Sequence, residues 1–324
     1  MYRIPAFYHP TTLTLVDDDH DFLMGLALAL GDYFRCHTFT EADEAEGFLH
    51  RMYAKQTLVD VNCLSISDAT WSDLQVDIHI KSIYRRIFNS ERFNVNCILI
   101  IDYDMPNRNG LELARALKAV LPIKIILLTG EADRETAVNA FNDKEIDRFV
   151  SKGEANYRSK LIRYVQELQQ DYFIEQSLAV LKALDSQKDC ALREPTFIRL
   201  FESICEQSHC IEYYLLDEAC SFLLLDSLGQ ETWLILQSSL DAQSCYELAD
   251  DEELAEDILR ALRNKERLVF FRKGVEDVPP IDQWLFPEAK LLTGTSIYYA
   301  LLHGKQGYMQ CEEIHNYSDF LDKN

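Results

Sequence analysis

Residues 97–110 read Cys-Ile-Leu-Ile-Ile-Asp-Tyr-Asp-Met-Pro-Asn-Arg-Asn-Gly, an unbroken apolar run that ends in the carboxylate of Asp102. A short apolar run without alternation marks a strand buried on both faces, the kind found inside parallel sheets. Similar runs lie on either side. Leu13 to Val16 leads into Asp17, Asp18 and Asp19; Ile123 to Leu128 leads into Thr129; Arg148 to Ser151 leads into Lys152. Helical patterns separate them: Asp21 to Leu30, with Phe22, Leu23, Leu26 and Leu30 on one face; Ala42 to Tyr53, after a strand-like Cys36 to Phe39; Leu111 to Leu121, stopped by Pro122; and Arg134 to Phe141. Strand–helix alternation of this kind predicts an α/β fold, a doubly wound parallel sheet of five strands with helices on both faces.

In such a sheet the C-terminal strand ends converge, so the residues just past them share one pocket. Here these are three carboxylates (Asp17, Asp18 and Asp102), the hydroxyl of Thr129 and the ammonium of Lys152. Clustered carboxylates repel unless a cation sits among them, and a set of oxygen donors suits Mg²⁺. One carboxylate can then attack phosphorus while Mg²⁺ and the ammonium offset charge on the equatorial oxygens and the hydroxyl donates a hydrogen bond.

The run Asp102-Tyr-Asp-Met-Pro-Asn-Arg-Asn-Gly110, together with Val-Asp-Asp-Asp, Leu-Leu-Thr-Gly and Phe-Val-Ser-Lys in that order, resembles the receiver domain of two-component response regulators. The resemblance covers residues 10 to about 165. It implies a flavodoxin-like fold that accepts a phosphoryl group on Asp102 from a histidine kinase or phosphotransfer protein. It also implies Mg²⁺ held by Asp17, Asp18, Asp102 and the main-chain carbonyl of Asp104, with Lys152 on the phosphoryl group and Thr129 and Phe149 as switch residues. Gly153 departs from the family's pattern, which has proline after the lysine and usually a cis bond there. Asp104 and Glu131 stand where the family tunes dephosphorylation.

The 324 residues suggest two domains. We expect a receiver over 10–155, with a helical insertion at about 54–95 whose Trp71 to Asn89 stretch has an amphipathic pattern. A helical connector over 156–193 contains a long helix, Tyr157 to Leu184. Its apolar stripe shifts phase after Tyr172, which breaks a strict heptad. An α+β output domain with an antiparallel sheet is expected over 194–324, from the strand-like runs Ile211 to Leu216, Phe222 to Leu225 and Thr232 to Gln237. An acidic helix, Asp241 to Arg263, and two further strands, Leu268 to Phe271 and Ser296 to Leu302, would complete it. The insertion and the acidic tail resemble the Lqs-type quorum-sensing response regulators.

Charge narrows the partners. The chain carries a net −22; residues 1–170 hold −6 and residues 191–324 hold −14. DNA binding needs a positive footprint, so nucleic acid is a poor partner for this tail. The expected output is binding of a protein or small ligand, with a homodimer forming on phosphorylation. A nucleotide-handling enzyme is the first alternative, with Asp217 and Asp226 as conceivable metal ligands against the plainer reading as turn residues. A transcription regulator is the second. The nine cysteines are scattered without a CxxC pair, as expected of reduced thiols rather than a zinc site. No run approaches the ~18 apolar residues of a membrane span and Met1 to Pro10 does not read as a signal peptide, so the cytoplasm is expected.

Overall fold

The computed structural model describes residues 4–59, 64–66, 76–78, 80, 83, 85–130, 134–185, 191–271, 280–304 and 314–322. The chain opens with strand β1 (Phe7–Tyr8), then β2 (Leu13–Val16), α1 (His20–Leu30), β3 (Cys36–Phe39) and α2 (Ala42–Val59). A small pair, β4 (Leu64–Ile66) and β5 (Val76–Ile78), precedes β6 (Ile98–Asp102), α3 (Gly110–Lys118), β7 (Lys124–Thr129), α4 (Arg134–Asn142) and β8 (Arg148–Ser151). The long helix α5 (Tyr157–Asp185) leads to α6 (Pro195–Gln207), β9 (Glu212–Leu215), β10 (Phe222–Leu225), β11 (Glu231–Ser238), α7 (Ser239–Asp251) and α8 (Glu256–Arg263). The last elements are β12 (Phe270–Phe271), β13 (Trp284–Leu285), β14 (Lys290–Leu291), β15 (Ile297–His303) and α9 (Tyr317–Asp322).

Two compact units result. One gathers Pro10–Val61, Glu91–Gln176 and Phe320–Asn324; the other gathers Met1–His9, Asn62–Ser90 and Ser177–Asp319. The first holds the five-stranded parallel sheet that the sequence predicts, with its strands in the order β3-β2-β6-β7-β8. Its central strand β6 is buried along its whole length, which is why it reads as an uninterrupted apolar run. Each such side chain removed from water contributes about 1.5–3 kcal/mol. Below the sheet, Leu113, Leu117, Leu127 and Ala137 are fully buried in one cluster with Ile101 and Leu49.

The second unit holds a six-stranded sheet in the order β1-β9-β10-β11-β15-β14, antiparallel throughout. The three-strand meander expected from the tail is its centre. Phe197, Phe201 and Ile204 of α6 are buried, with Phe201 edge-on to Tyr213 and Phe222 at 5.0 and 4.9 Å.

Four expectations change. The compact units differ from the linear division into 10–155, 156–193 and 194–324, because Phe7–Tyr8 pairs with β9 and the segment Asn62–Ser90 joins the antiparallel unit. Within the 54–95 insertion, α2 runs on to Val59, but Val76–Ile78 is a strand paired antiparallel with Leu64–Ile66 rather than part of an amphipathic helix. The alternation Val-Asp-Ile favours a strand; of the rest of the expected helix, Ile80 and Ile83 are helical and Arg85–Phe88 form a 3-10 turn, while residues 71–75, 79, 81, 82 and 84 lie outside the described residues. A second helix boundary appears where one acidic helix was expected: α7 ends at Asp251 and α8 starts at Glu256, with Glu253 at φ 54° between them. Four consecutive acids, Asp250 to Glu253, repel one another and oppose the negative C-terminal end of a helix, so the helix stops there. Finally, α5 matches the expected long helix, but of its second apolar stripe, Ile174, Leu178, Leu181 and Leu184, Leu178 is exposed and Ile174 half-buried while Leu181 and Leu184 are buried. The boundary between the two compact units falls within this helix, at Gln176 and Ser177.

Candidate phosphoryl-transfer site

At the C-terminal edge of the parallel sheet, β2 and β6 lie side by side with Val16 opposite Ile101, which brings Asp17 next to Asp102. Carboxylate oxygens of Asp17, Asp18 and Asp102 lie within 4.8 Å of one another, and among the described residues this is the one cluster of its kind. Asp17 and Asp102 are buried, at 1% and 6% exposure, while Asp18 is open to solvent. The third acid of the run does something else: Asp19 caps α1, accepting the backbone N–H groups of Asp21 and Phe22 at 3.0 Å each.

Lys152 reaches in from the end of β8. Its ammonium stands 2.7 Å from Asp17 Oδ2 and 2.8 Å from Asp102 Oδ1. Burial alone pulls the Lys152 pKa down, but its hydrogen bonds to Asp102 and Asp17 outweigh this and hold it above its ordinary value. Burial raises the Asp102 carboxyl above the usual range; Lys152 partly offsets that, and the neighbouring Asp17 adds to it. Three carboxylates against one ammonium leave this pocket two charges short of neutrality, and all its free donors are oxygens. That set fits a hard divalent cation.

Thr129 ends β7 with its side chain 1% exposed, and its hydroxyl has no hydrogen-bond partner among the described residues. A buried hydroxyl gains about 0.5–1.5 kcal/mol from a hydrogen-bond partner, and this one can donate to an oxygen placed at the strand end. Gly110, the last residue of the opening stretch, is explained by contact: a Cβ there would sit 2.1 Å from the Asp102 carbonyl oxygen. Only glycine lets α3 start so close to the strand that carries Asp102. Asn109 caps that helix through the Glu112 N–H at 3.0 Å, and Arg108 ties the intervening loop to α2 through Glu46 at 2.6 Å.

The other expected residues lie nearby. Asp104 is exposed, two residues beyond Asp102. Phe149, on β8, is half-buried and meets Phe141 edge-on at 6.3 Å. A cavity of about 540 Å³ is lined by Thr129, Phe141, Arg148, Phe149, Lys160 and Tyr164. No peptide bond among the described residues is cis, including that from Lys152 to Gly153. Glu131 lies outside the described residues. In the antiparallel unit, Asp226 accepts the N–H groups of Leu228 and Gln230 in its own turn, and Asp217 accepts that of Ser221, so both act as turn residues.

One neighbour of the site was not singled out by the sequence pattern. Phe22, which its spacing assigns to the buried face of α1, is only half-buried, and Lys152 Nζ sits 4.4 Å from the centre of its ring. An aromatic residue five positions past Asp17 was the available signal.

Residues 81–165 match the family model described as the response regulator receiver domain. The chain therefore carries a response regulator receiver domain. The solved structure of the Legionella pneumophila response regulator LqsR is similar over 99% of this chain and 96% of its own, at 27% identity and a TM-score of 0.76. The likeness expected for the insertion and tail thus extends to the whole fold. An adenylate cyclase from Rhodopirellula baltica is 18% identical over 55% of this chain and 99% of its own, at a TM-score of 0.35. A receiver domain protein from Clostridium thermocellum is 17% identical over 52% and 98%, at 0.32. No curated protein sequence matches the chain. The family match begins downstream of Asp17 and Asp18. No helix among the described residues is long and apolar enough to cross a membrane.

Proposed function

We propose that this chain is a phosphorylation-controlled signalling protein whose Asp102 accepts a phosphoryl group from a histidine kinase or phosphotransfer protein. The observation that supports it best is the convergence at Asp102: two further carboxylates, the Lys152 ammonium and the Thr129 hydroxyl, which has no partner among the described residues, at one end of one sheet. Asp17, Asp18, Asp102 and the Asp104 carbonyl would hold Mg²⁺. When bound, the ion would neutralise the carboxylates and the equatorial oxygens of the phosphoryl group.

The protein's own groups do the rest. An Asp102 oxygen attacks phosphorus as the bond from phosphorus to the donor imidazole nitrogen breaks, and the imidazole leaves with the bonding pair. Lys152 turns from Asp17 toward a phosphoryl oxygen while keeping Asp102. Thr129 donates its hydroxyl to a second oxygen. That movement empties space beside Phe149, and the ring follows, changing the face formed by α4, β8 and α5. The antiparallel unit, at net −14 over 191–324, would pass the signal on by binding a protein or small ligand rather than DNA.

Titration calorimetry with Mg²⁺, then beryllofluoride, tests the site. Wild type should bind Mg²⁺ and then beryllofluoride; Asp17→Asn should lose most of the Mg²⁺ heat, and Asp102→Asn the beryllofluoride heat. Equal heats in all three proteins would place the ion and the anion elsewhere.

A further inference from the structure

The Lys152 ammonium has a third contact besides its two carboxylates, and that contact is aromatic. Its Nζ lies 4.4 Å from the centroid of Phe22, in the first turn of α1. The Phe22 ring is backed by Tyr157, at the start of α5, with centroids 6.2 Å apart and planes 23° off parallel. Arg158 lies 5.6 Å over the Tyr157 ring. The ammonium, the Phe22 ring and the Tyr157 ring behind it thus lie in sequence beside the acceptor aspartate, with the Lys152 side chain still 27% exposed.

We propose that Phe22 is a positioning residue for phosphoryl transfer, holding the Lys152 ammonium beside Asp102 through its ring face. The inference rests on the assignment of Lys152 to the phosphoryl group. A lysine has a flexible four-carbon stem and a strongly hydrated head, so an exposed one spends much of its time turned to solvent. Here the next residue is Gly153, which does not fix the backbone as the family's proline would. Two carboxylates on one side of the ammonium and an aromatic face on another leave few directions in which it can move. The ring also stays useful during the reaction. As Lys152 shifts from Asp17 to a phosphoryl oxygen, the attraction to the ring quadrupole persists without a directional hydrogen bond to break. Phe22 is itself well placed, because its own N–H is fixed by the Asp19 cap at 3.0 Å.

Two measurements on the full chain test this. The first is independent of phosphorylation: in NMR spectra, the Lys152 Hε resonances should lie upfield of an exposed lysine's because of the ring current. That shift should vanish in Phe22→Leu and persist in Phe22→Trp. The second is the rate of phosphorylation by acetyl phosphate with saturating Mg²⁺. Phe22→Leu, similar in volume but without a π face, should lower the maximal rate about threefold to tenfold with the Mg²⁺ dependence unchanged, and Phe22→Trp should restore it. An unshifted Lys152 in wild type overturns the contact. Equal rates in wild type and Phe22→Leu, or equal losses in Leu and Trp, overturn the positioning role. Absence of phosphorylation in wild type with a normal ring-current shift would instead count against the phosphoryl-acceptor assignment.

Discussion

In the parallel unit, β2, β6, β7 and β8 run from apolar residues into Asp17, Asp102, Thr129 and Lys152, all at one edge. In the antiparallel unit, β9, β10 and β11 are also largely buried, yet the polar residues at their ends close turns: Asp217 and Asp226 accept backbone N–H groups of their own turns, from Ser221 and Gln230. Strand direction accounts for the contrast. Parallel strands all deliver their C-terminal residues to one side, whereas antiparallel neighbours deliver theirs to opposite sides. A reactive cluster is therefore a cheap by-product of the first topology and has to be built separately in the second.

Mutations can break that contrast or sharpen it. The largest effect is expected from Trp233→Ala, which removes a fully buried ring from β11 and should cost about 4 kcal/mol of stability in urea unfolding. Gly110→Ala in the parallel unit should cost about 3 kcal/mol, because its methyl meets backbone at 2.1 Å, and should abolish Asp102 phosphorylation as well. If Gly110→Ala phosphorylates normally, the close start of α3 does not shape the acceptor.

A gain is expected from Asp217→Asn. Burial pushes the Asp217 carboxyl up from 3.8 to about 6. The folded form therefore keeps its proton while the unfolded form loses it, so this group's contribution falls as pH rises from about 4 to about 6 and stays low above that. Solvent reaching the half-buried side chain limits the effect. The asparagine variant should be about 1–2 kcal/mol more stable at pH 7.5 and indistinguishable at pH 4, read from denaturation at both values. A loss at pH 7.5 would mean that the charge itself holds the turn.

The smallest effect separates neighbours within one acidic run. Asp19→Ala should cost about 1 kcal/mol in thermal unfolding by uncapping α1 and leave Mg²⁺ affinity nearly intact. Asp18→Asn should do the reverse. Equal behaviour of the two would undo the division of roles drawn for Asp17, Asp18 and Asp19.

Much of the parallel unit was readable because β2, β6 and β7 are short and mainly apolar and, like β8, are punctuated by a reactive residue. The pocket residues Asp17, Asp102, Thr129 and Lys152 could be named from those endings. Phe22 could not, since helical spacing alone does not distinguish a ring facing the core from one facing an ammonium. The two-residue strand Phe7–Tyr8 is too short for any alternation to show, and only its partner Tyr213–Tyr214 makes it a strand. The break between α7 and α8 was hidden for another reason: apolar periodicity continues through it, while four successive acids decide it.

The central claim is that Asp102 is a live acceptor, and intact mass spectrometry tests it most directly. Wild type and Asp102→Asn would be incubated with Mg²⁺ and acetyl phosphate, and again with a phosphorylated histidine kinase or phosphotransfer donor. A gain of about 80 Da in wild type alone, the mass of one phosphoryl group, is the expected result. No gain from any donor, or an equal gain in Asp102→Asn, would contradict the account.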